Sequence, residues 1–118
     1  MGYNVVTMDE YRRRGLKDCA DQIVQVTDDT PIYITFDMDC LDPSIAPGVS
    51  NIEMSETGWT MDEALNLLRS MRGKNIIGGD VVCLMPTKDN PNNITSMAAA
   101  AIAYEIVSLI ADRLRSAP

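Results

Sequence analysis

The stretch FDMDCLDPSIAPG, Phe36 to Gly48, directly follows the apolar run PIYIT, Pro31 to Thr35. It sets Asp37, Asp39 and Asp42 within six residues, and two prolines and a glycine follow. Ile32 to Phe36 reads as a strand that is apolar on both faces, the pattern of a parallel sheet covered by helices above and below. Open parallel sheets bind ligands at the carboxyl ends of their strands, which is where Asp37 and Asp39 fall. Period-two alternation would aim both carboxylates into one crevice and turn Met38 away. Two such groups repel unless one is protonated or a cation neutralises them. Hard divalent metals prefer oxygen ligands, so a metal is the natural neutraliser. The competing reading is architectural, since aspartates in loops also make caps, Asx-turns and solvated charge.

Two other known uses of such acids fit less well. A calcium EF-hand loop is excluded, because its sixth position would be Asp42 instead of Gly and its twelfth Gly48 instead of Glu. A phosphoryl-transfer domain also uses Asp-x-Asp after an apolar strand, with the first Asp as nucleophile. It usually needs a Thr soon afterwards, where this chain has Cys40-Leu41-Asp42.

Working outward, YNVVT (Tyr3 to Thr7) is a short β-prone run. Thr7 and Glu10 form a capping box for a helix MDEYRRR that Gly15 closes. Leu16, Cys19, Ala20, Ile23 and Val24 recur at helical spacing. After the strand, residues 41–58 read as a long loop. Thr60 and Glu63 make a second capping box, opening a helix that runs through Met71 and ends at Gly73. Ile76 to Leu84 is a further strand, in which Gly78 and Gly79 imply close backbone approach or a bulge. A long helix spans Thr95 to Arg115, with Ile102, Ile106, Ile110 and Leu114 along one stripe. The order β-α-α-β-α-β-α predicts one α/β domain over residues 1–118, a three-layer α/β/α arrangement with a parallel sheet. Strands are expected near residues 3–7, 32–37 and 76–84, the last two adjacent. Three strands are few, and unpaired outer edges favour self-association.

The composition narrows the chemistry. A net charge of −7 argues against a nucleic-acid partner. No apolar run approaches the roughly 20 residues of a membrane span and no signal pattern opens the chain, so a cytoplasmic protein without a membrane partner is expected. Three widely spaced cysteines, Cys19, Cys40 and Cys83, indicate neither a disulfide framework nor a zinc knuckle. The 118 residues contain no histidine. That removes every Ser-His or Cys-His arrangement and every imidazole metal ligand within this chain.

FDMDCLDPSIAPG closely resembles the ureohydrolase signature of arginases and agmatinases, S-F-D-x-D-x-x-D-P-x-x-A-P-G, with Thr35 at its leading Ser. TMDEALNLLR (Thr60 to Arg69) is similar to that family's T-x-R-E-A-L helix, GGDVVCLMP (Gly78 to Pro86) to its G-x-D-V-V-E-x-x-P strand, and NNITSMAAAAIAYEIV to its closing helix. The resemblance covers essentially the whole chain and corresponds to the C-terminal portion of the family. It implies an arginase-like fold, here incomplete, and a dinuclear centre, commonly manganese with nickel possible, that hydrolyses a guanidino compound to urea and an amine. It also implies a homo-oligomer. Carried over by position, Asp37 would bridge both metals and Asp39 would bind one, while Glu63 would contact the substrate guanidinium.

The family's Gly-Gly-Asp-His and Asp-Ala-His-x-Asp runs have no counterpart here, so the chain by itself is expected to lack activity. Cys83 stands at the Glu of D-V-V-E and reads as a supporting position. Val49-Ser50-Asn51 replaces Thr-Gly-Thr, and the loop from Glu53 to Trp59 is two residues longer, beside the expected pocket, so the guanidino substrate is left open as agmatine-like or another compound. A module that kept this fold for oligomerisation or interaction, without the chemistry, is the alternative from another functional class.

Overall fold

The computed structural model describes residues 2–53 and 58–116. Helices α1 (Met8–Arg14) and α2 (Leu16–Thr27) precede strand β1 (Ile32–Asp37). A 3-10 turn (Met38–Cys40), helix α3 (Met61–Arg69) and strand β2 (Ile76–Val82) follow. A second 3-10 turn (Pro86–Lys88) leads into α4 (Ile94–Ser116).

Both capping boxes form. Thr7 Oγ1 accepts from the Glu10 amide at 3.3 Å while Glu10 Oε2 accepts from the Thr7 amide at 3.0 Å. The same reciprocal pair closes α3, at 3.2 Å and 2.9 Å between Thr60 and Glu63. Each box satisfies amides that the first helical turn leaves without partners. Gly15 ends α1 at φ 85° and Gly73 follows α3 at φ 80°, backbone angles open to glycine and costly to a residue with a β-carbon. The regular part of α3 stops at Arg69, two residues short of the expected Met71, and turns carry the chain on to Gly73.

β1 and β2 pair in parallel, as expected of neighbours joined through a helix, in register Tyr33↔Gly78 through Asp37↔Val82. The irregularity foreshadowed by the paired glycines is a register shift between Ile32 and Tyr33, which leaves Ile77 as the extra residue of β2. Gly79 is where α4 presses closest to the sheet. A β-carbon there would lie 2.7 Å from Ile106 Cγ2 and 2.7 Å from the Ile34 carbonyl oxygen.

Among the described residues the sheet has two strands instead of three. Residues 3–6 are irregular, with Tyr3 and Val5 exposed. β-propensity makes a strand only where a neighbour completes the ladder, and no described strand lies beside this segment. The sheet is also covered on one face only among the described residues. Ile32, Phe36 and Ile76 are buried on the side of α4, whereas Tyr33, Thr35 and Asp80 on the other side are exposed. The β1–α3–β2 crossover carries a single helix, and α4 packs on both β2 and α3.

The core gathers Phe36, Met38, Leu41, Leu68, Ile76, Ile102 and Ile106. On α4 the expected stripe holds at Ile102 and Ile106, passes to Leu109, and leaves Leu114 63% exposed. At 3.6 residues per turn an i, i+4 row drifts by about 40° at each step, so it rotates off the sheet. α4 is long and apolar enough to cross a membrane by length and composition, contrary to the expectation that no such run exists. Its alanines and polar residues broke the apolar run when read linearly, yet the inner face of the helix is part of the core.

Asp89 anchors the start of α4. Its carboxylate accepts from the amides of Thr95 at 3.0 Å and Ser96 at 2.8 Å, and these bonds outweigh desolvation to hold its pKa well below the ordinary carboxylate range. The fully buried Thr95 hydroxyl accepts from the Gly48 amide at 2.9 Å, so the end of the acidic stretch is tied to α4.

Candidate metal centre

The chain leaves β1 at Asp37 and immediately tightens into the 3-10 turn, so strand alternation does not aim the two acids. Asp37 Oδ1 instead caps the turn, accepting from the Asp39 amide at 2.9 Å. Met38 drops into the core with no exposed surface and acts as the pin of the turn. The result is the juxtaposition expected from the sequence, reached by different backbone geometry.

A third group joins them. Cys83 Sγ and one carboxylate oxygen each from Asp37 and Asp39 all lie within 4.8 Å of one another. Cys83 follows directly after Val82, the register partner of Asp37, so the carboxyl ends of two parallel strands deliver the three donors to one point. Its backbone is left-handed, at φ 64°. Two bonds hold it there: the Ser50 amide donates to the Cys83 carbonyl at 2.9 Å, and the Met85 amide to the Gly48 carbonyl at 2.8 Å. Reading along one strand at a time treated Cys83 as a supporting position. The available signal was its place at the end of the strand neighbouring β1.

The electrostatics of this group are those of like charges held close together. Burial, then the Asp37 charge, raise the pKa of Asp39, against an opposing hydrogen bond from the Asn51 backbone. Asp39 Oδ1 is sealed from solvent and has no hydrogen-bond partner, a costly condition for a carboxylate oxygen. The nearby Asp37 carboxylate raises the pKa of the Cys83 thiol, with Ser50 opposing it. Burial pushes the neighbouring Cys40 thiol up to about 12. Asp37, Asp39 and Cys40 line a cleft of about 360 Å³ with Met8, Glu53 and Gly58. Glu53, which the sequence reading passed over, adds a further negative charge that acts on Asp39.

The other candidates stand apart from this cleft. Asp42 Oδ1 accepts from the Ser44 amide at 2.9 Å and shapes the loop, as an Asx-turn. Glu63 Oε2 is held by Thr60, and Oε1 receives a short hydrogen bond from Arg12 Nη1. Arg12 Nη2 also donates to the Gly58 carbonyl at 2.9 Å. Burial pulls the Glu63 pKa up, and the bonds from Thr60 and Arg12 outweigh it, so the group is held as a carboxylate. Glu63 therefore grips a guanidinium, but it is the chain's own, and it ties α1 to α3. Trp59 packs on Tyr11 with ring centroids 5.5 Å apart, whereas Tyr104 is exposed on α4. Of the longer loop expected over residues 53–59, residues 54–57 lie outside the described part.

The arginase family profile matches residues 1–108, the acidic turn and both strands included. The chain belongs to the arginase family. Among curated members it is 41% identical over 114 residues to an agmatinase of Photorhabdus laumondii, covering 97% of this chain and 36% of that one. Among solved arginase-family structures it superposes with TM-score 0.88 on proclavaminate amidino hydrolase from Streptomyces clavuligerus, at 33% identity, over 95% of this chain and 37% of that one. A hypothetical agmatinase from Burkholderia thailandensis gives TM-score 0.89 and 34% identity, over 99% and 36% respectively. The chain thus spans about a third of the length of these relatives. Its two-stranded sheet with helices on one face is an incomplete α/β fold of the arginase type.

Proposed function

We propose that this chain forms the C-terminal part of a metal-dependent arginase-family hydrolase whose substrate is a guanidino compound. The observation that carries the reading is the acidic turn: two carboxylates brought together at a strand end, one with a buried oxygen that has no partner. The donor set fits one divalent cation, manganese or nickel among them, with Asp37 and Asp39 as ligands. It does not by itself complete a dinuclear centre, because no histidine is present in the 118 residues.

A divalent cation bound there would lower the pKa of a water molecule and supply a nucleophile near neutral pH. The chain's own residues do the positioning. Asp37 keeps Asp39 in the turn through the Asp39 amide, and Met38 locks that turn from the core side. The acidic lining contributed by Asp37, Asp39 and Glu53 favours a cationic guanidinium over a neutral or anionic ligand. Glu63, outside this cleft, holds α1 against α3 through Arg12, and would meet a substrate guanidinium only by exchanging that partner.

The chain alone releases no urea from arginine, agmatine or other guanidino compounds when supplied with manganese or nickel. A colorimetric urea assay giving enzyme-like rates would overturn the reading of an incomplete centre. The outer edges of β1 and β2, which pair with no other described strand, and the exposed Tyr33 also lead us to expect self-association, in a cytoplasmic setting. Light scattering at micromolar concentration should give a mass above that of one chain, and a purely monomeric mass counts against it.

A further inference from the structure

We propose that Cys83 is a third protein ligand of the cation at Asp37 and Asp39, and that its sulfur biases this centre toward thiophilic divalent metals such as cobalt, zinc or cadmium. The inference rests on the metal reading of the acidic turn and goes beyond it. Three donor atoms of two chemical types lie within 4.8 Å of one another, close enough to share one ion after small side-chain adjustments. The Asp39 oxygen that lacks any partner identifies the spot as one where something is needed to complete the contacts. Cys83 is held in place by backbone, not by chance rotamer: the Val49–Leu84 bridge and the Ser50 and Met85 hydrogen bonds clamp residues 83–85 against the acidic stretch. Its sulfur lies within 4.8 Å of a carboxylate oxygen of Asp37. A cation bound there would replace the thiol hydrogen, the metal–sulfur bond forming as the S–H bond breaks and the proton passing to buffer.

Ligand softness gives the consequence. A set of carboxylates alone suits manganese or magnesium, whereas one thiolate shifts preference toward metals that bind sulfur well. Removing the sulfur should therefore weaken cobalt about tenfold or more and change manganese by no more than about threefold.

The test is an anaerobic cobalt titration of the whole chain, read by absorption and calorimetry. The expected result is a near-ultraviolet sulfur-to-cobalt charge-transfer band that Cys83→Ser abolishes and that Cys19→Ser and Cys40→Ser retain. Cys83→Asn, which tolerates the left-handed backbone, replaces Cys83→Ser if circular dichroism shows that the latter unfolds. Cobalt binding with an oxygen-only spectrum overturns the role of Cys83 and leaves the aspartate site standing. A band that survives in a folded Cys83 variant overturns it as well. Absence of any cobalt binding by the native chain sinks both readings.

Discussion

Asp37→Asn combined with Asp39→Asn removes divalent-cation binding while leaving the chain folded. Asparagine keeps the shape of aspartate and retains an Oδ1 acceptor, so the Asp39 amide that bonds Asp37 at 2.9 Å still finds its partner and the 3-10 turn survives. What disappears is the pair of negative charges. What is left is the single sulfur of Cys83 and the one carboxylate of Glu53, since Asp42 is engaged by Ser44. Changes merely beside a metal site commonly cost 10–100-fold in affinity, so loss of two direct ligands should weaken manganese by at least about 100-fold. Isothermal titration of manganese into native and doubly substituted chain measures this, with circular dichroism as the control for folding. Undiminished uptake by a folded double variant would show that the turn is architecture and not a metal site. The substitution should not unfold the metal-free protein, because it also removes the repulsion between Asp37 and Asp39 and gives Asp39 Oδ1 a less costly burial.

Ile102→Ala is expected to be the most damaging single truncation, at about 2–5 kcal/mol. Ile102 is fully buried on α4, within the cluster that includes Phe36, Met38 and Ile76. Neighbouring parts cannot collapse easily into the space it leaves. Gly79 is already pressed against Ile106 one turn away, and the capping bonds of Asp89 fix the start of the helix. A typical domain is stable by only about 5–15 kcal/mol, so this loss should shift the urea midpoint clearly, without a large change in slope. Tyr104→Ala, two residues along the same helix but 74% exposed, should stay within about 0.5 kcal/mol. Equal midpoints for the two variants would mean that α4 does not owe its position to packing on the sheet.

The elements readable from the residues were those with local causes. Thr7 with Glu10 and Thr60 with Glu63 carry their whole explanation within four residues, and both boxes form. The run from Ile32 to Phe36 needed only its apolar character, and the glycines after Ile77 announced a disturbed register. Features that depend on a partner were less legible. Among the described residues, Tyr3 to Thr7 had the composition of a strand and no strand to pair with, and no helix covers Tyr33 and Thr35 on the outer face of β1. Glu63 had the right charge to receive a substrate guanidinium, and only the folded chain revealed Arg12, separated from it by 51 positions, as the group it holds.

By itself the sequence determined the helix starts, the parallel β-α-β unit and the placing of two carboxylates at the end of β1, because each follows from residues close together along the chain. Tertiary structure decided which donor completes the acidic pair, which face of the sheet is covered and which carboxylate is already taken. Those outcomes turn on distances between segments. Asp37 and Cys83 meet because two strands end side by side, and a linear reading contains no measure of that proximity.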